Sequence, residues 1–180
     1  MLKMELINLN NFNTAVKIQE EIFPEYSAKL NYYKSIIDDS QNKFFMVYDG
    51  SKCIGVSGIY TYSKDQDNAW IGFLGVRNKY RKNGYGNQIL KMTEDYAKSL
   101  GYKYMRLFTD RHNNDHAIAF YAKSGYIFEG YDCDQEEFKD KFSVVIGSKT
   151  LCDKPVKPWN NKFINLTKQT IKQGYWKGDN

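Results

Sequence analysis

The sequence predicts an α/β fold in which helices cover both faces of a mixed sheet. Three observations lead there. Segments of strand and helical periodicity follow one another as β-α-α-β-β-β-α-β-α-β-β, an order that layers helices on a sheet. AWIGFLGV (69–76) carries no charge, as expected of a central strand with both faces covered. Two helical stretches each end at a glycine, Gly101 and Gly125, and each is followed by a strand-like run.

Taken in order, MELINLN (4–10) alternates and reads as a first strand. Apolar residues at 12, 15, 16, 18, 22 and 23 make a helix that Pro24 stops. Ser27 can cap a second helix, with Leu30, Tyr33, Ile36 and Ile37 as its apolar residues. KFFMVY (43–48) and CIGVSGIYTY (53–62) flank Asp49-Gly50, which readily supplies the positive φ of a hairpin turn. After strand 69–76, Tyr85, Ile89, Met92, Tyr96 and Leu100 mark one face of a long helix. YKYMRLFT (102–109) is a strand, and 114–125 is a short helix capped by Asn114. YIFEGY (126–131) and FSVVIGSKTL (142–151) are strands around an acidic loop. No internal repeat is visible. Residues 1–151 form one domain, and 152–180 a basic C-terminal extension.

The chain has 180 residues, of which 42% are hydrophobic, enough for one real core. No run of 18 apolar residues exists and the first residues lack a signal peptide's apolar region, so no membrane partner and a cytoplasmic location are expected. Cys53, Cys133 and Cys152 are odd in number and lack CxxC spacing, which fits free thiols. The net charge is +5, but six lysines and two acids between Asp153 and Asn180 place +4 in the extension and leave +1 elsewhere. A basic tail on a near-neutral domain is not a basic groove, which argues against nucleic acid.

In GVRNKYRKNGYGNQILKMTEDYAKSLG (75–101), two cations and two glycines precede helical periodicity. A helix N-terminus exposes unpaired N–H groups and attracts anions. Gly84 and Gly86 would let an oxyanion approach the backbone, Arg81 and Lys82 add charge, and Asn87 adds an amide donor. A diphosphate suits that cradle, although Asn83-Gly84 also reads as a plain loop turn.

Val76, Arg81, Gly84 and Gly86 fit V-x-x-x-x-R-x-x-G-x-G. Downstream, Asn114, Ala117, Phe120, Tyr121, Lys123, Gly125 and Tyr126 fit N-x-x-A-x-x-F-Y-x-K-x-G-Y. In this order, after a strand and within helices, the pair resembles the two motif segments of the GNAT superfamily of acyl-CoA-dependent N-acetyltransferases. The likeness covers about residues 4–151 and implies that family's fold, a central, mostly antiparallel sheet. It implies an enzyme that takes acetyl-CoA as co-substrate and an amine acceptor as partner, and it is compatible with a homodimer. Arg81, Lys82, Asn83, Gly84, Tyr85, Gly86 and Asn87 would hold the pyrophosphate. Leu74, Gly75 and Val76 would pair with the pantetheine arm where the strand splays at a bulge. Asn114 and Phe120 would line its far side, and Lys123 would reach toward the nucleotide unless it is simply a solvated helix lysine. Tyr121 matches the general acid that protonates the departing thiolate.

Some relatives carry a Glu on the strand equivalent to 69–76, and this sequence has none there. A silent acyl-CoA-binding module is therefore the alternative to an enzyme. The acidic loop, with Asp132, Asp134, Glu136 and Glu137, would steer a cationic amine, or is merely solvated. Tyr32, Tyr33, Tyr60 and Tyr62 would wall the acceptor pocket or pack in the core. His112 and His116 stand four apart without a third ligand, so no metal site is expected.

Overall fold

A computed structural model describes residues 1–37, 42–62, 65–110, 114–130 and 144–159. The acidic loop, His112, Cys133 and the lysines from Lys162 onward lie outside the described residues.

The elements are β1 (Leu2–Leu6), α1 (Phe12–Ile22), α2 (Lys29–Ile37), β2 (Lys43–Asp49), β3 (Lys52–Tyr60), β4 (Asn68–Ile71), β5 (Gly75–Val76), α3 (Tyr85–Ser99), β6 (Tyr104–Asp110), α4 (Asp115–Lys123), β7 (Ile127–Gly130) and β8 (Val144–Thr150). A 3-10 turn, Asn78–Tyr80, sits between β5 and α3. The sheet runs β1-β2-β3-β4-β6-β8-β7, with β5 paired to β3. Every pairing is antiparallel except β4 with β6. The strand with no charge is central, as expected, and the mixed sheet carries α1 and α2 on one face and α3 and α4 on the other. Ala15, Val16, Ile18, Ile22 and Tyr32 pack with Phe44, Met46 and Trp70 on the first face. Leu90, Ala97 and Tyr121 pack with Ile59, Ala69, Met105 and Leu107 on the second.

Two helix faces differ from expectation. On α2 the fully buried residue is Tyr32, while Leu30, Tyr33 and Ile37 are exposed. Tyr32 wins because its ring, and not theirs, packs on Phe44 of β2, with centroids 5.1 Å apart. On α3 the buried side is Ile89, Leu90, Thr93, Glu94 and Ala97. It is rotated from the expected 85/89/92/96/100 face, and Leu100 is half exposed. The rotation buries two polar residues, and each has partners that offset desolvation. Thr93 Oγ1 lies 2.6 Å from Ser57 Oγ and donates to the Ile89 carbonyl. Glu94 accepts from Tyr126 Oη at 3.0 Å and from Lys149 Nζ at 2.7 Å.

The strand expected over 69–76 is broken. Ile59 faces Ile71 and Tyr60 faces Trp70, but Val56 faces Gly75 and Gly55 faces Val76. The β4–β5 side is thus one residue longer than β3, which is a β-bulge. Phe73 sits in it with φ 51, a left-handed conformation rare for a bulky residue. Hydrophobic patterning cannot reveal a single extra residue in an uncharged run. Gly55 is required here, because a Cβ on it would lie 2.2 Å from the Gly75 carbonyl oxygen.

The C-terminal segment crosses the α1/α2 face after β8. The Lys157 carbonyl accepts from Arg106 Nη2 at 3.0 Å, and the Trp159 N–H donates to Glu129. The Trp159 ring meets Trp70 edge-on, with centroids 4.8 Å apart. Arg106, only 3% exposed, also donates to Asn68 Oδ1 and Ser148 Oγ.

Candidate active site

The bulge opens the sheet. Parallel pairing of β4 with β6 ends at Trp70 and Arg106, whereas β6 continues to Asp110 on β8. Beyond that point β5 pairs with β3. A gap therefore widens between 72–76 and 107–110. The Arg77 N–H donates to the Ile54 carbonyl on β3. Alternation along a strand sends the Val76 N–H the other way, into the gap. Leu74, Gly75 and Val76 are half-buried along its edge.

At the wide end lies a cavity of about 270 Å³. Val76, Arg81, Lys82, Gly84, Tyr85, Gly86, Asn87 and Phe120 line it, together with Tyr80. Tyr80 was missed by sequence reasoning; lying inside the basic stretch, it read as one more of 15 tyrosines. The loop is shaped by local geometry. Lys82 (φ 65) and Gly84 (φ 75) are left-handed, and no heavy atom approaches the place where a Gly84 Cβ would sit. Gly84 is thus glycine for its backbone angle. Gly86 is glycine for proximity, since its Cβ would lie 3.4 Å from the Phe120 ring. Asn83 does not line the cavity; its amide braces the loop by donating to the carbonyls of Tyr80 and Arg81. Arg81 Nε donates to the Val76 carbonyl at 2.9 Å, tying the loop to β5. Tyr85 Oη donates to Asp49 at 2.7 Å, tying α3 to the β2–β3 turn.

The first bond of α3 is Gln88 N–H to the Gly84 carbonyl. Among the described residues, the N–H groups from Lys82 to Asn87 have no acceptor. Five of these six residues, all but Asn83, line the cavity, and their free N–H groups beside two exposed cations make it a fitting cradle for an anion.

Tyr121 lies on the α3/α4 face of the gap, buried beside Phe120 and Tyr126 at ring distances of 5.1 and 5.3 Å. Among the described residues its hydroxyl has no hydrogen-bond partner. Burial and then the nearby Glu94 carboxylate push its phenol well above the ordinary range, so the proton is firmly held. Tyr126 is raised for the same leading reason, burial, and also donates to Glu94. This Glu94–Tyr126–Lys149 cluster escaped the sequence reading, because nothing in a helical pattern marks a charge that will be buried.

Asn114 precedes α4, half-buried, without a side-chain capping bond and outside the cavity lining. Lys123 is exposed in the last turn of α4, also outside that lining. Tyr32 and Tyr60 are core residues and Tyr33 packs on Phe12. Only Tyr62 of those four stands half-buried beside Trp70. Cys53 and Cys152 are free thiols. Among the described residues no cluster of three or more His, Cys, Asp or Glu could hold a metal, and no helix is long and apolar enough to cross a membrane.

The sequence matches the model of the acetyltransferase (GNAT) family over residues 10–126. No curated protein matches it. Among solved structures, the chain is similar to the ribosomal-protein-S18-alanine N-acetyltransferase of Escherichia coli (15% identity, TM-score 0.65, covering 88% of this chain and 99% of that one). It is similar also to the PaiA N-acetyltransferase of Thermoplasma acidophilum in complex with coenzyme A (19%, TM-score 0.64, 83% and 99%). Mutant forms of the spermidine/spermine N-acetyltransferase SpeG of Vibrio cholerae are a third likeness (14%, TM-score 0.65, 83% and 94%).

Proposed function

The chain belongs to the GNAT acetyltransferase family, and on that premise we propose that it transfers an acetyl group from acetyl-CoA to a primary amine. The observation that carries the reading is the cradle of unpaired N–H groups at Lys82–Asn87, aligned with a gap that leads past Tyr121. Arg81, Lys82 and the cradle donors would hold the pyrophosphate, with Gly84 and Gly86 admitting it to the backbone. The edge from Leu74 to Val76 would pair with the pantetheine amides. A backbone N–H near Leu74 or Gly75, at the bulge end of that edge, would stabilise the oxyanion that forms on attack. Phe120 would pack against the arm, with Asn114 and Lys123 farther along it.

The chemistry balances simply. The neutral amine attacks the thioester carbonyl and a C–N bond forms. The C–S bond then breaks, and the thiolate takes the Tyr121 proton. The attacking nitrogen loses its extra proton to water, since β4 and β5 offer no carboxylate, and a proton returned from water restores the Tyr121 phenol for the next turnover. The raised phenol is fully protonated at neutral pH, so the proton is in place when the thiolate departs, although the same burial makes Tyr121 a weaker acid.

Thiol release from acetyl-CoA over a panel of primary amines tests the reading. Turnover with at least one amine, lost in Tyr121→Phe, is the expected result. Tight CoA binding with no release for any amine would instead leave the chain as a silent acyl-CoA-binding module. In either case residues 1–151 are read as the functional domain and 152–180 as an extension.

A further inference from the structure

The acceptor side of the gap has its own chemistry. Phe120, Tyr121 and Tyr126 fill the α3/α4 side of the gap, so an amine adding to the thioester carbonyl has the α1/α2 face to approach from. There the gap is bordered by aromatic rings. Phe23 ends α1 and lies so close to β5 that a Cβ on Gly75 would be 2.7 Å from its Cζ. Phe73, on the bulge, meets Phe23 edge-on with centroids 5.7 Å apart. Across the gap, Phe108 of β6 packs on Trp70 at 6.3 Å, and Tyr62 and Trp159 pack on the same indole at 5.6 and 4.8 Å. All five rings are half-buried and rest on the α1/α2 core. Three carboxylates meet the residues of this face, and all are engaged: Asp65 accepts from the Trp70 indole N–H and from Asn68. Glu21 is held bidentate by Arg77, with Nη2 2.7 Å from Oε2, and Glu129 accepts from the Trp159 N–H.

We infer that this face selects an amine carried on a flat apolar body, an arylalkylamine, and that Phe23, Phe73 and Phe108 determine the selection. An ammonium arriving over ring faces is attracted by their quadrupoles, and an aromatic body packs edge-to-face among them. The carboxylates bonded to this face, Glu21, Asp65 and Glu129, already have partners, which leaves the rings as its main means of selection. Trp159 makes the extension part of the wall. The inference rests on the acetyl-transfer reading, and it names the substrate class for that site.

Calorimetric titration of the full-length, CoA-saturated protein with phenethylamine and with spermidine tests it. Phenethylamine is expected to bind at least about tenfold more tightly, the scale of one or two ring contacts. Phe23→Leu, which keeps an apolar side chain but removes the ring, should weaken phenethylamine about tenfold, whereas Phe23→Tyr should not. Phe108→Leu should repeat the effect from across the gap, guarding against a folding defect at Gly75. Tighter or equal spermidine binding, no binding of either amine, or an unchanged affinity in both leucine variants would overturn the inference. Thiol release in the same samples separates the two readings: phenethylamine that binds as expected but is never acetylated would sink acetyl transfer and leave the aromatic wall standing.

Discussion

Tyr121 shows how position and environment combine in one residue. Its place in the second motif is a matter of spacing, but its firmly held proton comes from burial beside Tyr126 and Glu94. Tyr121→Phe is expected to lower kcat about a hundredfold while leaving CoA affinity unchanged, the usual scale for losing a positioned acid; steady-state kinetics with calorimetry decides it. Lys149 has a different office. Its ammonium neutralises Glu94, which is only 9% exposed. Lys149→Met should destabilise the fold by about 3 kcal/mol, because it leaves an uncompensated buried carboxylate, and denaturant unfolding measures it. Arg81, Lys82, Gly84, Gly86, Asn87 and Phe120, which come together around one cavity, were legible because spacing encodes them directly, whereas Asn83, Asn114 and Lys123 lie outside its lining. Glu94, Thr93 and Lys149 were not, because a buried polar residue is recognisable only once its partner, distant in sequence, is known.

At the scale of elements, periodicity and glycine and proline punctuation gave the order of the four helices and of the strands other than β5, although the first strand lies at Leu2–Leu6 and not over 4–10, and the 3-10 turn was not foreseen. What periodicity could not reveal was phase and interruption. The buried side of α3 is shifted by about one residue, and the uncharged strand is divided by the bulge at Phe73. That division is the feature on which the gap depends. Gly55→Ala should therefore be among the most damaging small changes, since its methyl group meets the rigid Gly75 carbonyl. A loss of at least about 2 kcal/mol is expected, readable as a drop in Tm. Gly84→Ala meets no neighbour, but forces a side chain into the left-handed region. It should cost only about 1 kcal/mol of stability yet weaken CoA binding by distorting the cradle. The joint variant Arg81→Ala, Lys82→Ala should weaken CoA about tenfold in low salt, with a smaller effect as ionic strength rises; titration at two salt concentrations would show it.

For the molecule as a whole, raised phenols set an upper pH limit. The folded-state values of Tyr121 and Tyr126 lie above those of the unfolded chain, so the fold binds protons that the unfolded state releases. Their contribution is complete below about pH 10, and declines as pH rises through the folded-state values. Stability should thus fall on the alkaline side, and Tyr121→Phe should flatten the decline, as tyrosinate absorbance and melting curves would reveal. The C-terminal segment matters at this scale too. Removing residues after Cys152 strips Arg106 of the Lys157 carbonyl and Trp70 of its indole neighbour. A loss of about 3 kcal/mol is expected from those two causes together, measurable by unfolding of the shortened chain.

Arg106 sits in the middle of a central strand, yet two of its acceptors, Ser148 and Lys157, are about 40 to 50 residues farther along. A ribosome making this chain therefore delivers the cation long before those two. Asn68, made earlier, meets the guanidinium from the start, but the bonds to Ser148 and Lys157 form only when β8 and the segment after it dock, so the α1/α2 face closes over Arg106 by a long-range step.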